Sequence, residues 1–163
     1  MPPRQRTPDG PPPAPAVQRF RIRYAKRGRL RFTSTRDFQR ALERALRRAA
    51  VPVAFSAGFH PHPKISYANA APTGVASEAE YFELSVTTRL DCEARRGALD
   101  AALPQDLDVI TVIEAPPGSL ADRLEASEWA FEFADVDAAA LDDAVAQFLA
   151  CEDVTTTRMT KTG

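Results

Sequence analysis

Residues 19–76 read RFRIRYAKRGRLRFTSTRDFQRALERALRRAAVPVAFSAGFHPHPKISYANAAPTGVA, and this stretch decides the fold class. From Val17 to Tyr24 the side chains alternate. Phe20, Ile22 and Tyr24 fall on one face and Arg19, Arg21 and Arg23 on the other, which predicts a strand with one apolar and one cationic face. Ala25 to Gly28 reads as a turn, with Gly28 able to take positive φ. Arg29, Leu30, Arg31 and Phe32 then repeat the alternation. Ser34-Thr35-Arg36-Asp37 is a capping box: the Ser34 side chain is placed to accept from the Asp37 amide, and the Asp37 carboxylate sits in the positive first turn. The spacing predicts a helix from there to Ala49 or Ala50, burying Phe38, Leu42, Ala45, Leu46 and Ala49. Arg36, Arg40, Arg44 and Arg48 recur every fourth residue and stack along a different face. Like charges at that spacing repel, and the segment holds only Glu43 to offset them, so the stripe points to an external anion or an acidic partner surface.

Outward from the helix, Pro52 stops it and opens an apolar run, Val51 to Phe55, that suits a buried strand. Ser56 to Tyr67 follows as a loop stiffened by Gly58, Pro61 and Pro63, and it carries His60, His62 and Lys64. Two histidines without a third ligand are a weak metal signal, and the neighbouring lysine favours an oxyanion or phosphate site; exposed histidines with no role are the plain alternative. After a turn at Pro72-Thr73-Gly74, a strand places Phe82, Leu84 and Val86 on one side. Glu78, Glu80 and Glu83 lead into or lie in it, available to pair with the arginines or, for one of them, to act as a base. Asp91 to Leu103 reads as a second helix and Leu107 to Ile113 as a β-branched central strand. The order strand, helix, strand, strand, helix, strand makes residues 17–116 an α+β ferredoxin-like βαββαβ plait.

The flanks differ. Residues 1–16 hold seven of the fourteen prolines and no large apolar residue, and are expected to be a disordered tail. Residues 127–163 begin the plait pattern again: Trp129, Phe131 and Phe133 alternate as a strand, Asp137 caps a helix bearing Leu141, Val145, Phe148 and Leu149, and Val154 to Thr160 reads as another strand. This partial second strand-helix-strand unit is expected to pack on the first, since it would otherwise expose a sheet edge.

Net charge is −1, but residues 1–70 hold fifteen Lys and Arg against three Asp and Glu, while residues 71–163 hold six against nineteen. Such asymmetry suits a polyanion partner for the first half, or mutual pairing of the halves. Cys92 and Cys151 match no metal or redox spacing, which fits a reducing, cytoplasmic setting. No apolar run is long enough for a signal peptide or a bilayer span.

Arg29 to Glu80 resembles a bacterial radical-SAM-linked family, a domain of unknown function. The residues that carry the likeness are the Asp37 helix start, Arg44-Ala45-Leu46-Arg47-Arg48-Ala49, Gly58-Phe59, Pro61-His62-Pro63-Lys64, Pro72, Gly74 and Ser77-Glu78-Ala79-Glu80. The likeness continues more loosely to the chain end. It implies a domain fused to, or travelling with, a radical S-adenosylmethionine protein. The chain is also similar in outline to the repeat-processing RNA endonucleases of CRISPR systems. Thr35 stands where family members often have a histidine, and no C-x-x-x-C-x-x-C run is present to hold an iron–sulfur cluster, so no cofactor is expected here. Members usually run on past the point where this chain ends, which leaves a shortened form open.

Three functions follow as expectations. The first is an accessory binding module, with Arg19, Arg21, Arg23, Arg36, Arg40, Arg44, Arg48, His60, His62 and Lys64 gripping RNA or another phosphate-rich ligand. The second is a metal-independent, ribonuclease-like or RNA-modifying enzyme with His62 as acid or base, Lys64 as electrophile and an acidic residue such as Glu78. The third is a protein-interaction domain whose basic face docks on a radical-SAM protein.

Overall fold

Strand β1 spans Gln18–Lys26 and lies at the centre of a four-stranded sheet, with β3 (Ser77–Val86) on one side and β4 (Val109–Glu114) on the other. The computed structural model describes residues 11–68 and 70–157. Strand β2 (Ile65–Tyr67) adds to the far edge of β3, giving the order β2-β3-β1-β4 with every neighbouring pair antiparallel. Helix α1 (Thr35–Arg48) joins β1 to β2, and α2 (Cys92–Ala102) joins β3 to β4. This is the mixed α+β architecture of a ferredoxin-like plait.

The alternation read in β1 sorts its two faces. Phe20, Ile22 and Tyr24 join Phe82, Leu84, Val86, Val109 and Val112 in one core with Phe38, Leu42, Ala45 and Leu46 of α1 and Leu99 and Ala102 of α2. Burying each of the larger side chains contributes about 2 kcal/mol. Tyr24 stacks on Phe38 at 4.3 Å between ring centroids, which locks α1 over β1. The α1 stripe differs from expectation by one place: Ala41 is buried and Ala49 only half-buried.

Both ends of α1 follow from local chemistry. Asp37 donates its amide to Ser34 Oγ at 3.1 Å, and the Ser34 hydroxyl donates to Asp37 Oδ2 at 2.7 Å. At the other end the Val51 amide donates to the Leu46 carbonyl at 3.0 Å and the Ala50 amide to the Arg47 carbonyl at 3.2 Å. That is a Schellman turn, and it sets Ala50 at φ 48°, a conformation that favours glycine.

Several expectations are corrected. Arg29–Phe32 does not continue the strand; Gly28–Phe32 forms a 3₁₀ turn, started by Gly28 at φ 47°. Val51 to Phe55 is not the second strand. It makes only isolated bridges, Val53 to Val86 and Phe55 to Pro63, and the edge position on β3 goes to Ile65–Tyr67, within the segment expected to be loop. Pro52 supplies no amide to a ladder, and the Ile65–Tyr67 alternation matches the inward Leu84 and Phe82 in register.

The chain divides into two units between Glu125 and Ala126. In the second, Asp137 accepts from the Ala140 amide and caps α3 (Ala138–Leu149), as its sequence predicts. Trp129, Phe131 and Phe133 form no strand; they lie in irregular backbone and are exposed, since alternation without a neighbouring strand leaves the amides unpaired. Val154–Thr157 is likewise not a strand, and Arg158–Thr160 lies outside the described residues, as does the proline-rich segment before Pro11. Among the described residues, no helix is long and apolar enough to cross a membrane.

Candidate anion-binding face and a buried-charge cleft

The arginines of β1 and those of α1 meet different fates. On the sheet face away from the helices, Arg21 Nε and Nη2 both donate to Glu83 Oε1, at 3.0 and 2.6 Å. Arg19 lies 3.4 Å from the other Glu83 oxygen and donates to the carbonyls of Pro116 and Gly118. Arg23 donates to the Glu78 carbonyl at 2.5 Å. Glu83 is only 4% exposed, so Arg19 and Arg21 are drawn into the sheet around a buried carboxylate. Arg27 bridges Glu78 and Asp108. The pairing of basic first half with acidic second half is therefore real on the sheet.

On α1 it is absent. Arg36, Arg40, Arg44 and Arg48 are all exposed. Arg40 has only Asp37, one turn back at 3.7 Å. Among the described residues, Arg36 and Arg44 make no ion pair or side-chain hydrogen bond. Arg48 departs from its stripe: its guanidinium donates to the Ala102 carbonyl at the end of α2, tying the two helices and meeting the negative end of the α2 dipole. Of the four stripe arginines, the free ones among the described residues are therefore Arg36 and Arg44, with Arg40 between them held only by a weak, solvent-exposed pair.

The loop candidates form a separate group. The Ser56 amide donates to the His62 carbonyl at 2.9 Å, the His62 amide to Ser56 Oγ at 3.1 Å, and His62 Nδ1 lies 2.8 Å from the same Oγ. This closes residues 56–62 into a hairpin-like loop. His60 and Lys64 are exposed side chains, and Lys64 is fixed through its backbone, its amide to Ala54 and its carbonyl to Ser85. Lys64 thus sits opposite Ser85, whereas Glu78 lies seven residues back along β3, about 23 Å away at the rise of an extended strand. The structure does not bring Glu78 to His62 and Lys64. The Arg27 guanidinium instead holds the Glu78 carboxyl below the usual carboxylate range. Among the described residues, no three His, Cys, Asp or Glu side chains are grouped to hold a metal ion.

One site was not anticipated. A cleft under the start of α1 is lined by Tyr24, Lys26, Phe38, Tyr67 and Glu80 together with Ser34. Lys26 and Glu80 are 4% and 3% exposed, and no ion pair joins them. Burial, with the Glu80 charge second, raises the Tyr24 phenol far above its ordinary value; burial also pushes Tyr67 up to about 12. Both phenols therefore stay protonated donors. The signal lay in the alternation: Lys26 continues the apolar face of Phe20, Ile22 and Tyr24, and Glu80 that of Phe82, Leu84 and Val86.

A comparison with curated proteins finds no match. Residues 19–163 match a family described as an uncharacterized protein conserved in bacteria. The match takes in all of the sheet but Gln18, the arginine-bearing helix and the buried-charge cleft, and the chain belongs to that family, DUF2344.

Proposed function

We propose that the chain is a non-catalytic accessory module that binds single-stranded RNA, or another phosphate-rich chain, along the exposed face of α1. The observation that carries this reading is the contrast between Arg19 and Arg21 of β1, which are paired with Glu83, and Arg36, Arg40 and Arg44, which project from one helix face with, among the described residues, only the Asp37 carboxylate near Arg40 to neutralise them. Guanidinium groups present several donors in a flat fork and suit phosphate oxygens. A stripe spaced one turn apart offers them at about 6 Å intervals, close to successive phosphates of an extended strand. The radical-SAM likeness of Arg29 to Glu80 supports a partner protein of that class, with this chain delivering or holding its substrate. Cys92 and Cys151 as free thiols are consistent with a cytoplasmic setting.

Fluorescence anisotropy with a single-stranded RNA tests the reading. Three phosphates neutralised on a single strand give a log–log salt slope near −2, a roughly twentyfold loss of affinity between 50 and 200 mM salt. The double reversal Arg40→Glu, Arg44→Glu is expected to abolish binding while the thermal midpoint stays within a few degrees. RNA affinity unchanged in the folded double variant rules the assignment out. Co-purification with a radical-SAM protein that survives nuclease treatment tests the partner.

A further inference from the structure

Lys26 and Glu80 are opposite charges, each more than nine-tenths buried, on the wall of one cleft. The backbone of Ala71 stands between them. Its carbonyl accepts from Lys26 Nζ at 3.1 Å, and its amide donates to both Glu80 oxygens, at 3.1 and 3.3 Å. An ammonium has three donors, and a carboxylate has about four lone-pair positions. One donor of Lys26 is used, and both oxygens of Glu80 share a single proton. Among the described residues nothing else bonds either group, although buried charges ordinarily have their full set of partners.

The surroundings add to this. Beside Tyr24 both neighbouring strands carry an extra residue, β3 between Glu80 and Ser77 and β4 between Thr111 and Val109. Such bulges redirect side chains and recur next to binding sites. Tyr24 and Tyr67 supply aromatic wall, and Thr33, Ser34 and Thr35 close the side under α1. The cleft measures about 30 Å³, room for about two water molecules. It therefore admits the edge of a flat group and leaves the rest outside.

The Ala71 backbone shows which groups fit: its N–H goes to Glu80, and its C=O, which belongs to the next peptide group, goes to Lys26. A ligand that repeats this pattern, with a second donor for the second carboxylate oxygen, satisfies what Ala71 leaves open. Among the nucleobases guanine has that order of groups. Its O6 carbonyl stands beside N1–H, and N1–H beside the N2 amino group. In uracil the single N–H lies between two carbonyls, and adenine has no carbonyl. The geometry points to the cleft as a base-reading site for guanine, with Lys26 donating to O6 and Glu80 accepting from N1–H and N2–H. The inference rests on the RNA reading above and deepens it. Arg36 follows Thr35 in the chain, so the phosphate-binding stripe begins at the lip of the cleft, and an unstacked base of the same strand enters it, as in single-stranded RNA recognition.

Isothermal titration of the full chain with 5′-GMP, 5′-IMP and 5′-AMP is the test, since the three carry the same phosphate. GMP is expected to bind at least about tenfold more tightly than AMP, with IMP, which lacks the N2 donor, in between. Glu80→Gln and Lys26→Met should each bring the GMP preference below about twofold. In the unsubstituted chain, GMP should shift the Ala71 amide resonance and AMP should leave it in place, a readout that needs no variant. Equal affinity for GMP and AMP overturns the inference, as does an unmoved Ala71 resonance under excess GMP or a preference that persists in folded Glu80→Gln. Salt-dependent RNA binding lost on reversing Arg40 and Arg44, together with equal GMP and AMP affinity, removes the cleft and keeps the phosphate face. Guanine preference without salt-dependent RNA binding keeps the cleft and removes the phosphate face.

Discussion

Arg21 and Glu83 face each other across the central β1–β3 ladder, two guanidinium nitrogens on one carboxylate oxygen, with Arg21 11% and Glu83 4% exposed. Removing one partner strands the other charge in a place that water scarcely reaches. Glu83→Ala is expected to cost about 3–5 kcal/mol, while the paired change Arg21→Met, Glu83→Leu should cost far less or nothing. Urea unfolding of the two variants checks this. Equal destabilisation by both would show that the pair itself, and not the unpaired charge, is what matters.

The α1 stripe is expected to divide by function. Arg36→Ala should reduce the salt slope of RNA binding by about 0.7 and leave stability within about 0.5 kcal/mol. Arg48→Ala should do the reverse. It loses the tie to the Ala102 carbonyl, costs about 1 kcal/mol and leaves the slope unchanged. Anisotropy titrations at several salt concentrations, run beside thermal melts, separate the two effects. A slope that falls equally in both variants would place Arg48 on the ligand.

Glu78 is expected to shape the acid limb of stability. Hydrogen bonding to Arg27 holds its folded carboxyl below the usual value of about 4.3. As pH falls, the unfolded chain takes up this proton first. The stabilising contribution is therefore complete above the usual value and disappears as pH drops through the lowered one. Urea midpoints measured between about pH 3 and 6 should fall less steeply for Glu78→Gln than for the unsubstituted chain, and added salt should narrow the difference because the pair is exposed. Parallel curves at low salt would exclude the effect.

Ala50 closes α1 in the left-handed conformation, where a Cβ is unfavourable. Ala50→Gly is expected to stabilise the chain by about 0.5–1 kcal/mol, the strain relieved outweighing the freedom glycine adds to the unfolded chain. A raised thermal midpoint with unchanged RNA affinity is the expected result. A lowered midpoint would mean that the unfolded-state entropy dominates at this position.

The sequence alone determined the elements that rest on local rules. Ser34 and Asp37 start α1, Asp91 starts α2 and Asp137 starts α3, because a side-chain oxygen three residues before an orphan amide needs no help from the rest of the fold. The apolar parity of Phe20, Ile22 and Tyr24 fixed which way β1 faces. Only the tertiary structure decided which segment pairs beside β3, because Val51–Phe55 and Ile65–Tyr67 are both short and apolar and the choice depends on register against Leu84 and Phe82. It also decided which arginines remain free. Arg21 and Arg44 are indistinguishable as letters; one meets Glu83 across a ladder, sixty-two residues away, and the other meets solvent. Lys26 and Glu80 come to share a cleft for the same reason: strand pairing brings together charges that the chain keeps far apart, and local pattern carries no record of that distance.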